Sequence, residues 1–400
     1  MKEGWTLKKI GDICSITDFV SNGSFASLRE NVRYYNNPNY AVLVRLADAS
    51  NGFEKTKFVY TDEHGYIFSK KSHLHGGELI MSNVGSVGSM FICPVMTQPM
   101  TLAPNTISIT SQNNRFLYYY FLSDGFKVKL NGISSRTTLK KFNKTNFKLL
   151  EIAIPPLSEQ QTIVDYLDSA FAKIDAMKAN AEKALNEAKV LFHASLKEML
   201  EPKEGWKEKK LMDIGELKNG MNFNKNESGY NVHILGVGDF GNLFQIDNTD
   251  FLQKISLNSN PSEEYILKNE DIVFVRSNGN KNLVGRCVLI HVGDEPCSFS
   301  GFCIRFRNSK NEIDNCYLTH FLKTEDSRKK LVGNGANISN LNQKILNEFV
   351  VSYPSIQEQQ SIVETLDSLK SKVDRLQENF DKISQECDAV KQAILRQVFE

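Results

Sequence analysis

Two short stretches of this 400-residue sequence have residue types at spacings that enzymes use for chemistry. Gly236-Val-Gly-Asp-Phe-Gly241 has the Gly-x-Gly-x-x-Gly spacing of loops that hold a dinucleotide pyrophosphate, but such a loop opens a helix. The residues that follow, 242–248, are not helix-like, so we expect no nucleotide site there. His73 and His75 could ligate a metal ion, but no cluster of further ligands accompanies them, and we expect an exposed polar loop.

Other catalytic signatures are incomplete or absent. Asn37-Pro-Asn-Tyr40 imitates the Asn-Pro-Pro-Tyr motif of adenine methyltransferases without its second proline, so a turn is the expected structure. The sequence contains no Gly-x-x-x-x-Gly-Lys-Ser/Thr phosphate loop, and no nucleophile and base can be paired from spacing. We therefore predict a non-enzymatic chain with no catalytic residue, no bound cofactor and no metal site.

The stretches that organise the chain occur twice. Ser158–Asp168 returns as Gln357–Asp367, 199 residues later, and each copy follows a proline. Lys2-Glu-Gly-Trp5 recurs as Lys203-Glu-Gly-Trp206. Repeats with so long a period indicate two tandem modules rather than a solenoid.

Each later repeat opens a long helix. Ser158 with Gln161, and Ser355 with Glu358, have the spacing of a capping box, and apolar residues then follow at alternating steps of four and three. This heptad pattern is typical of a coiled coil, and we expect each helix to pair with the other copy. The seam positions of the first helix are obtained by subtracting 199 from those of the second. We expect smaller residues to line the seam on the first helix. The predicted seam consists of Ile163, Leu167, Ile174, Met177 and Leu191, with Ile362, Leu366, Leu369, Val373, Leu376, Phe380, Ile383, Val390 and Ile394.

Short β-branched runs such as Tyr40–Leu46 and Val232–Val237 make each module strand-rich. The fold class is therefore α+β, with two tandem strand-rich domains, each followed by a long helix. The predicted boundaries are a first domain at 1–153, a first helix at 154–202, a second domain at 203–352 and a second helix at 353–400.

Composition limits the environment and the partners. Residues 1–153 hold 18 Lys and Arg against 11 Asp and Glu, a net charge of +7, whereas 205–352 balance at 18 against 18. No apolar run is long enough to span a membrane, and the N-terminus lacks a signal-peptide core. Seven cysteines without Cys-x-x-Cys spacing fit a reducing compartment, so we expect a cytoplasmic protein with no membrane partner.

The paired Gly-Trp…Asp-Ile openings and Pro-x-x-x-Glu-Gln-x-x-Ile helix starts resemble the specificity (S) subunits of Type I restriction–modification systems over the whole chain. The resemblance implies two target-recognition domains, each reading one half of a bipartite site in double-stranded DNA. It also implies that the two helices pair antiparallel as a ruler between those domains. The expected protein partners are two methyltransferase (M) subunits, which bring S-adenosylmethionine, and nuclease-translocase (R) subunits.

Given this resemblance, the residues that we expect to face DNA lie in loops rich in Arg, Lys, Asn, Ser and Thr. These side chains donate to phosphates and can read base edges. The candidates are Arg29, Asn31, Arg33, Ser82, Asn83, Arg136, Thr137, Thr138, Lys140 and Lys141 in the first module and Lys225, Arg276, Asn278, Asn280, Lys281, Asn334 and Asn337 in the second.

Two other readings stay open at the level of sequence. One is an interaction scaffold whose duplicated modules bind proteins and not DNA, and the other is a self-sufficient methyltransferase or nuclease. Missing cofactor and metal motifs weigh against the second reading. A basic surface on both modules would distinguish DNA recognition from the scaffold.

Overall fold

The chain forms two compact units in a computed structural model. Unit 1 combines residues 1–181 with 380–400, and unit 2 comprises residues 182–379. Two helices of 44 residues each, α8 and α13 below, contribute one part to each unit. The residues that the structure describes are 2–135, 138–224, 226–241, 243–332 and 340–400.

The described residues of unit 1 form three small sheets. The strands β1 and β10 pair antiparallel at the base of α8. A second sheet has the order β2-β9-β6-β7, and a third has the order β4-β3-β8-β5, in which β3 and β8 run parallel. The strands are β1 (Thr6–Lys9), β2 (Ser15–Asp18), β3 (Ala41–Val44), β4 (Tyr60–Thr61), β5 (His73–Leu74), β6 (Leu79–Ser82), β7 (Met90–Ile92), β8 (Met100–Leu102), β9 (Thr106–Thr110) and β10 (Glu151–Ile154).

The main core of unit 1 lies between the second sheet and two helices that carry large aromatic residues. Phe116, Phe121 and Phe126 are almost completely buried there with Ile107 and Ile109 of β9. The helices up to the start of the first long helix are α1 (Ile10–Ile13), α2 (Phe25–Asn31), α3 (Leu46–Ser50), α4 (Glu63–Phe68), α5 (Asn114–Leu122), α6 (Asp124–Ile133) and α7 (Lys144–Lys148), followed by α8 (Leu157–Leu200).

Unit 2 repeats this plan with a larger central sheet. The strands β11 and β20 pair antiparallel, a five-stranded sheet has the order β12-β19-β16-β17-β14, and a third sheet has the order β15-β13-β18. As in unit 1, one pair of the third sheet, β13 with β18, is parallel. The strands are β11 (Lys207–Lys210), β12 (Gly215–Asn219), β13 (Tyr230–Leu235), β14 (Gln245–Ile246), β15 (Lys254–Leu257), β16 (Ile272–Val275), β17 (Cys287–Ile290), β18 (Cys297–Phe299), β19 (Cys303–Asn308) and β20 (Val350–Tyr353).

The core of unit 2 also places an aromatic helix on its central sheet. Tyr317 and Leu322 of that helix are fully buried against Phe274 and Phe306. The predicted α+β class with two strand-rich domains and two long helices is confirmed. The remaining helices are α9 (Leu211–Ile214), α10 (Asn315–Lys323), α11 (Glu325–Val332), α12 (Gln343–Asn347) and α13 (Ile356–Phe399).

In unit 1 the first part of α8 packs against the last part of α13. Leu167 and Phe171 share a buried cluster with Leu395. Asp175 pairs with Lys391 at 2.5 Å and Lys178 with Asp388 at 3.9 Å. From the first of these ion pairs to the second, the residue number rises on α8 and falls on α13. The two segments are therefore antiparallel. In unit 2, Lys189 of α8 donates to the side-chain oxygen of Gln377 on α13 at 2.8 Å.

The predicted seam is wrong at three positions. Met177 is 62% exposed, Leu191 is 61% exposed and Val390 is 47% exposed. On α8 the prediction placed the alanines at 170 and 184 in the seam. The buried residues are instead the next ones along the helix, Phe171 and Leu185. These side chains bury more apolar surface than the alanines at 170 and 184, which decides the rotation of the helix. The other predicted seam residues are buried or half-buried: Ile163, Leu167, Ile174, Ile362, Leu366, Leu369, Val373, Leu376, Phe380, Ile383 and Ile394.

The repeated Pro-x-x-x-Glu-Gln motif has a structural explanation at the start of each long helix. The amide of Gln160 donates back to the carbonyl of Pro155 at 3.0 Å, and that of Gln359 donates to the carbonyl of Pro354 at 3.0 Å. Ser355 caps α13, because its hydroxyl accepts from the backbone N–H of Glu358 at 3.3 Å. The predicted cap at Ser158 is wrong. The helix begins one residue before Ser158, and the residue 199 positions before Ser355 is a proline.

We expect Gln359→Ala to lower the free energy of unfolding of unit 2 by about 2–4 kcal/mol. Gln359 is fully buried, donates to the carbonyls of Pro354 and Glu312, and accepts from the N–H of Asp314 at 2.8 Å. Its loss leaves buried polar groups without partners. Gln160→Ala is the matched control, since Gln160 is less buried and donates to one carbonyl, and should cost about 1 kcal/mol. Equal losses in urea unfolding would contradict this assignment.

No helix in the described part of the chain is both long and apolar enough to cross a bilayer. The stretch at Gly236 forms a single 3-10 turn, Val237–Asp239, and does not open a helix. His73 has a structural role. Its ring stacks on Tyr66 with centroids 3.8 Å apart, and its Nε2 contacts the Tyr66 carbonyl oxygen at 2.8 Å.

Candidate nucleic-acid interface

In unit 1 the turn after β6 contacts the segment that leads to α7. The backbone N–H of Gly85 donates to the carbonyl of Lys140 at 2.9 Å, and that of Phe142 donates to the carbonyl of Asn83 at 3.1 Å. Phe142 is buried and anchors this arrangement in the core. We call residues 83–89 and 138–142 the interface loops of unit 1.

Among the predicted residues in these loops, Thr138, Lys140 and Lys141 are exposed. The prediction for Ser82 is wrong, because its side chain is 1% exposed and its hydroxyl donates to the carbonyl of Val84 at 2.9 Å. Asn83 is half-buried, and its side-chain oxygen has no hydrogen-bond partner among the described residues. The structure therefore offers the two lysines and Thr138 to a ligand, while Ser82 shapes the turn.

The other candidates of unit 1 lie around α2. Arg29 and Arg33 are exposed. Asn31 is already engaged, since its amide donates to the carbonyl of Ser27 at 2.8 Å and its oxygen lies 3.0 Å from Nε2 of His64. Asn31 therefore joins α2 to α4, and the two arginines are the side chains of this group available to phosphates.

Unit 2 builds its interface loops in the same way. Ser277 and Asn340 form an isolated antiparallel bridge, and the N–H of Leu341 donates to the carbonyl of Arg276 at 2.7 Å. Leu341 is fully buried and stands 199 residues after Phe142, so the same core position anchors both pairs of loops. We call residues 276–286 and 340–341 the interface loops of unit 2.

Most of the polar side chains of these loops also shape the backbone. Arg276 donates to the carbonyl of Gly301 at 3.3 Å. Asn278 accepts from the N–H of Asn280, and Asn280 accepts from the N–H of Asn282, at 2.7 and 3.1 Å. Asn280 and Lys281 are exposed, while Arg276 and Asn278 are half-buried. Arg136, Thr137, Lys225, Asn334 and Asn337 lie outside the described residues.

Two cations that are not among the predicted site residues bind backbone carbonyls in or beside the interface loops of unit 2. Lys323 donates to the carbonyls of Cys287 and Leu243, both at 2.7 Å, and burial lowers its pKa. Arg328 donates to the carbonyls of Asn282 and Val284 at 3.1 and 3.3 Å. Lys323 is the last residue of α10 and Arg328 lies in α11, so helices rather than loops position both cations. In the sequence, a Lys at the end of an apolar helix was the available signal for Lys323.

The chain matches the model of the Type I restriction modification DNA specificity domain twice, over residues 2–187 and 203–385. It is 22% identical to the Type I restriction enzyme StySPI specificity subunit of Salmonella potsdam, with 100% of this chain and 89% of that protein covered. It is 23% identical to the Type I restriction enzyme EcoKI specificity subunit of Escherichia coli K12, with the same coverage.

Solved structures share the fold. A chain of a type I R-M system, solved to explain its assembly and conformational transition, superposes with a TM-score of 0.74 at 16% identity, covering 100% of this chain and 98% of that one. The HsdS subunit of Thermoanaerobacter tengcongensis gives a TM-score of 0.57 at 17% identity, with 100% and 97% covered. With two matched domains that span most of its length, the chain belongs to the Type I restriction–modification DNA specificity subunit family.

Proposed function

We propose that this chain reads a bipartite site in double-stranded DNA and docks the two M subunits and the R subunits of its complex. Residues 1–153 and 203–352 act as the two recognition domains, each reading one half of the site. Residues 154–202 and 353–400 act as the spacer helices. The chain itself contributes no catalytic group, and methylation and cleavage belong to its partners.

The observation that carries this proposal is the duplicated DNA specificity domain. Each copy presents a pair of interface loops fixed to its core at an equivalent residue, Phe142 or Leu341. Because the loop residues differ while the anchoring is kept, the two domains are suited to read different sequences.

The mechanism that we propose is positioning. Phosphate contacts set the orientation of each domain on the duplex, and contacts to base edges supply the sequence preference. In unit 1 we assign the phosphate contacts to Arg29, Arg33, Lys140 and Lys141, with Thr138 beside them. In unit 2 we assign the phosphate contacts to the exposed Asn280 and Lys281. Arg276 and Asn278, which are held closer to the sheet, are suited to base edges.

We expect Lys140→Ala combined with Lys141→Ala to weaken DNA binding by the complex with its M subunits and to reduce the salt dependence. Loss of two phosphate contacts should lower the slope of log affinity against log salt by about 2, because fewer counterions are released. Fluorescence anisotropy at several salt concentrations measures both quantities.

Lys70→Ala combined with Lys71→Ala is the matched control, since it removes two adjacent exposed lysines of unit 1 outside the predicted interface. The control should keep the parental slope. A wild-type affinity that does not change with salt would argue against DNA binding and favour a protein-binding scaffold. Equal slopes for all three proteins would remove the two lysines from the interface.

A further inference from the structure

A cavity of about 620 Å³ opens in unit 2 between its interface loops and the turn that follows β13. Ser277 and Asn278 of the loops line it on one side, and Asp239 lines it on the other. Phe302, which is 61% exposed, provides an apolar wall, and its carbonyl accepts from the N–H of Arg276 at 2.8 Å. The cavity therefore places a carboxylate beside Asn278, which we assign to DNA reading.

Unit 1 contains the counterpart of this turn. The strands β3 and β13 are equivalent, because each pairs in parallel with a later strand of a third sheet of the same design. The residue after β3 is Arg45 and the residue after β13 is Gly236. In both turns the N–H of that residue donates to the carboxylate three positions later, Asp48 or Asp239, at 2.8 Å.

The two turns differ in how the carboxylate is neutralised. In unit 1 the guanidinium of Arg45 contacts both oxygens of Asp48, at 2.6 and 3.2 Å, and Asp48 is 1% exposed. Gly236 has no side chain to do this. Among the described residues, the carboxylate of Asp239 has no cationic partner and accepts one hydrogen bond, from the N–H of Gly236.

The space that the arginine would occupy is open in unit 2. A Cβ atom built on Gly236 meets one group, the Asp239 carboxylate, at an ordinary contact distance of 3.5 Å. An anionic acceptor thus faces a cavity with room for a donor that the chain does not supply. An aspartate in such a place is suited to accept from an exocyclic amino group, and cytosine N4 is the base group that Asp and Glu accept from in the major groove.

We propose that Asp239 is a specificity-determining residue of unit 2, which accepts a hydrogen bond from the amino group of a cytosine inserted at this cavity. A thymine at the same position presents O4, which accepts and cannot donate, so its oxygen would face the carboxylate. Unit 1 lacks this reading position because Arg45 already satisfies Asp48. This inference rests on the proposed DNA-binding function and adds the base that one position of the second half-site requires.

The test uses the full chain assembled with its M subunits. The methylated sequence is mapped first, and duplexes altered at each position of the second half-site are then compared by anisotropy. We expect wild type to prefer cytosine over thymine at one position by about tenfold or more. Asp239→Asn should lose or reverse that preference, because its amide can donate to thymine O4.

Gly236→Arg rebuilds the pairing found in unit 1 and serves as the second variant. It should abolish the preference at the same position without lowering the thermal unfolding midpoint, since the equivalent Arg–Asp pair is accommodated in unit 1. Asp48→Asn is the control and should leave the second half-site unchanged. If both unit 2 variants keep every preference of the wild type, the proposal for Asp239 is overturned. If wild type itself shows no sequence preference, the proposed DNA function fails as well.

Discussion

Trp5→Ala is expected to destabilise unit 1 by about 3–5 kcal/mol, the range for removing a large buried aromatic side chain. Trp5 is 5% exposed, and its indole N–H donates to the carboxylate of Glu159 on α8 at 2.9 Å. Its ring lies 6.3 Å from that of Phe116 and 6.4 Å from that of Phe399 on α13. One side chain therefore joins the domain to both helix segments of unit 1.

Pulsed thiol labelling during urea unfolding can measure this loss unit by unit. Cys14 belongs to the core that contains Trp5, and Cys287 belongs to the core of unit 2. Burial raises the pKa of the Cys14 thiol to about 12 and also raises that of Cys287, so both thiols should react only after their unit opens. Trp5→Ala should move the Cys14 transition to lower urea and leave the Cys287 transition in place.

Trp206→Ala is the matched control in the second repeat. Trp206 is half-buried, packs on Tyr317 at 6.4 Å, and its indole N–H has no hydrogen-bond partner among the described residues. We expect a loss of about 1–3 kcal/mol, seen at Cys287. If the two substitutions cost the same, the indole–carboxylate hydrogen bond and the contact with Phe399 contribute nothing measurable.

Exchanging residues 6–150 for those of another family member is expected to replace one half of the methylated sequence and to leave the other half intact. The exchanged segment contains the interface loops of unit 1, and 276–286 and 340–341 stay in place. Specific binding by proteins of this kind exceeds non-specific binding by about 10³-fold or more, so a switched half-site should abolish methylation of the original site.

Single-molecule sequencing of DNA from cells that express the hybrid with its M subunit gives the methylated motif directly. Exchange of residues 207–349 is the reciprocal experiment and should change the other half. If either exchange altered both halves, the assignment of one half-site to each domain would be wrong. If the hybrid methylated the parental motif, residues outside the exchanged segment would carry the specificity.

The duplication, the α+β class and the two long helices could be predicted from the amino-acid pattern alone. These features rest on local signals that tertiary packing does not overrule: a 199-residue repeat, an apolar pattern sustained over more than four heptads, and strand-length apolar runs. The Gly-Trp and Glu-Gln motifs correctly located the start of each domain and of each long helix. Only the folded chain shows that they fix the helix starts, through hydrogen bonds of Glu159 and Gln359.

Which residues face outward became clear only from the packing of the folded chain. The rotation of α8 depends on whether Phe171 or the alanine before it packs against Leu395, and local spacing allows both. Ser82 was predicted to donate to DNA, but its hydroxyl donates to the carbonyl of Val84 within its own turn. Asp48 and Asp239 follow equivalent strands and carry the same charge. The difference is that Arg45 neutralises the first, and the absence of a side chain at Gly236 leaves the second facing a cavity, because pairing depends on contacts in space rather than on residue type.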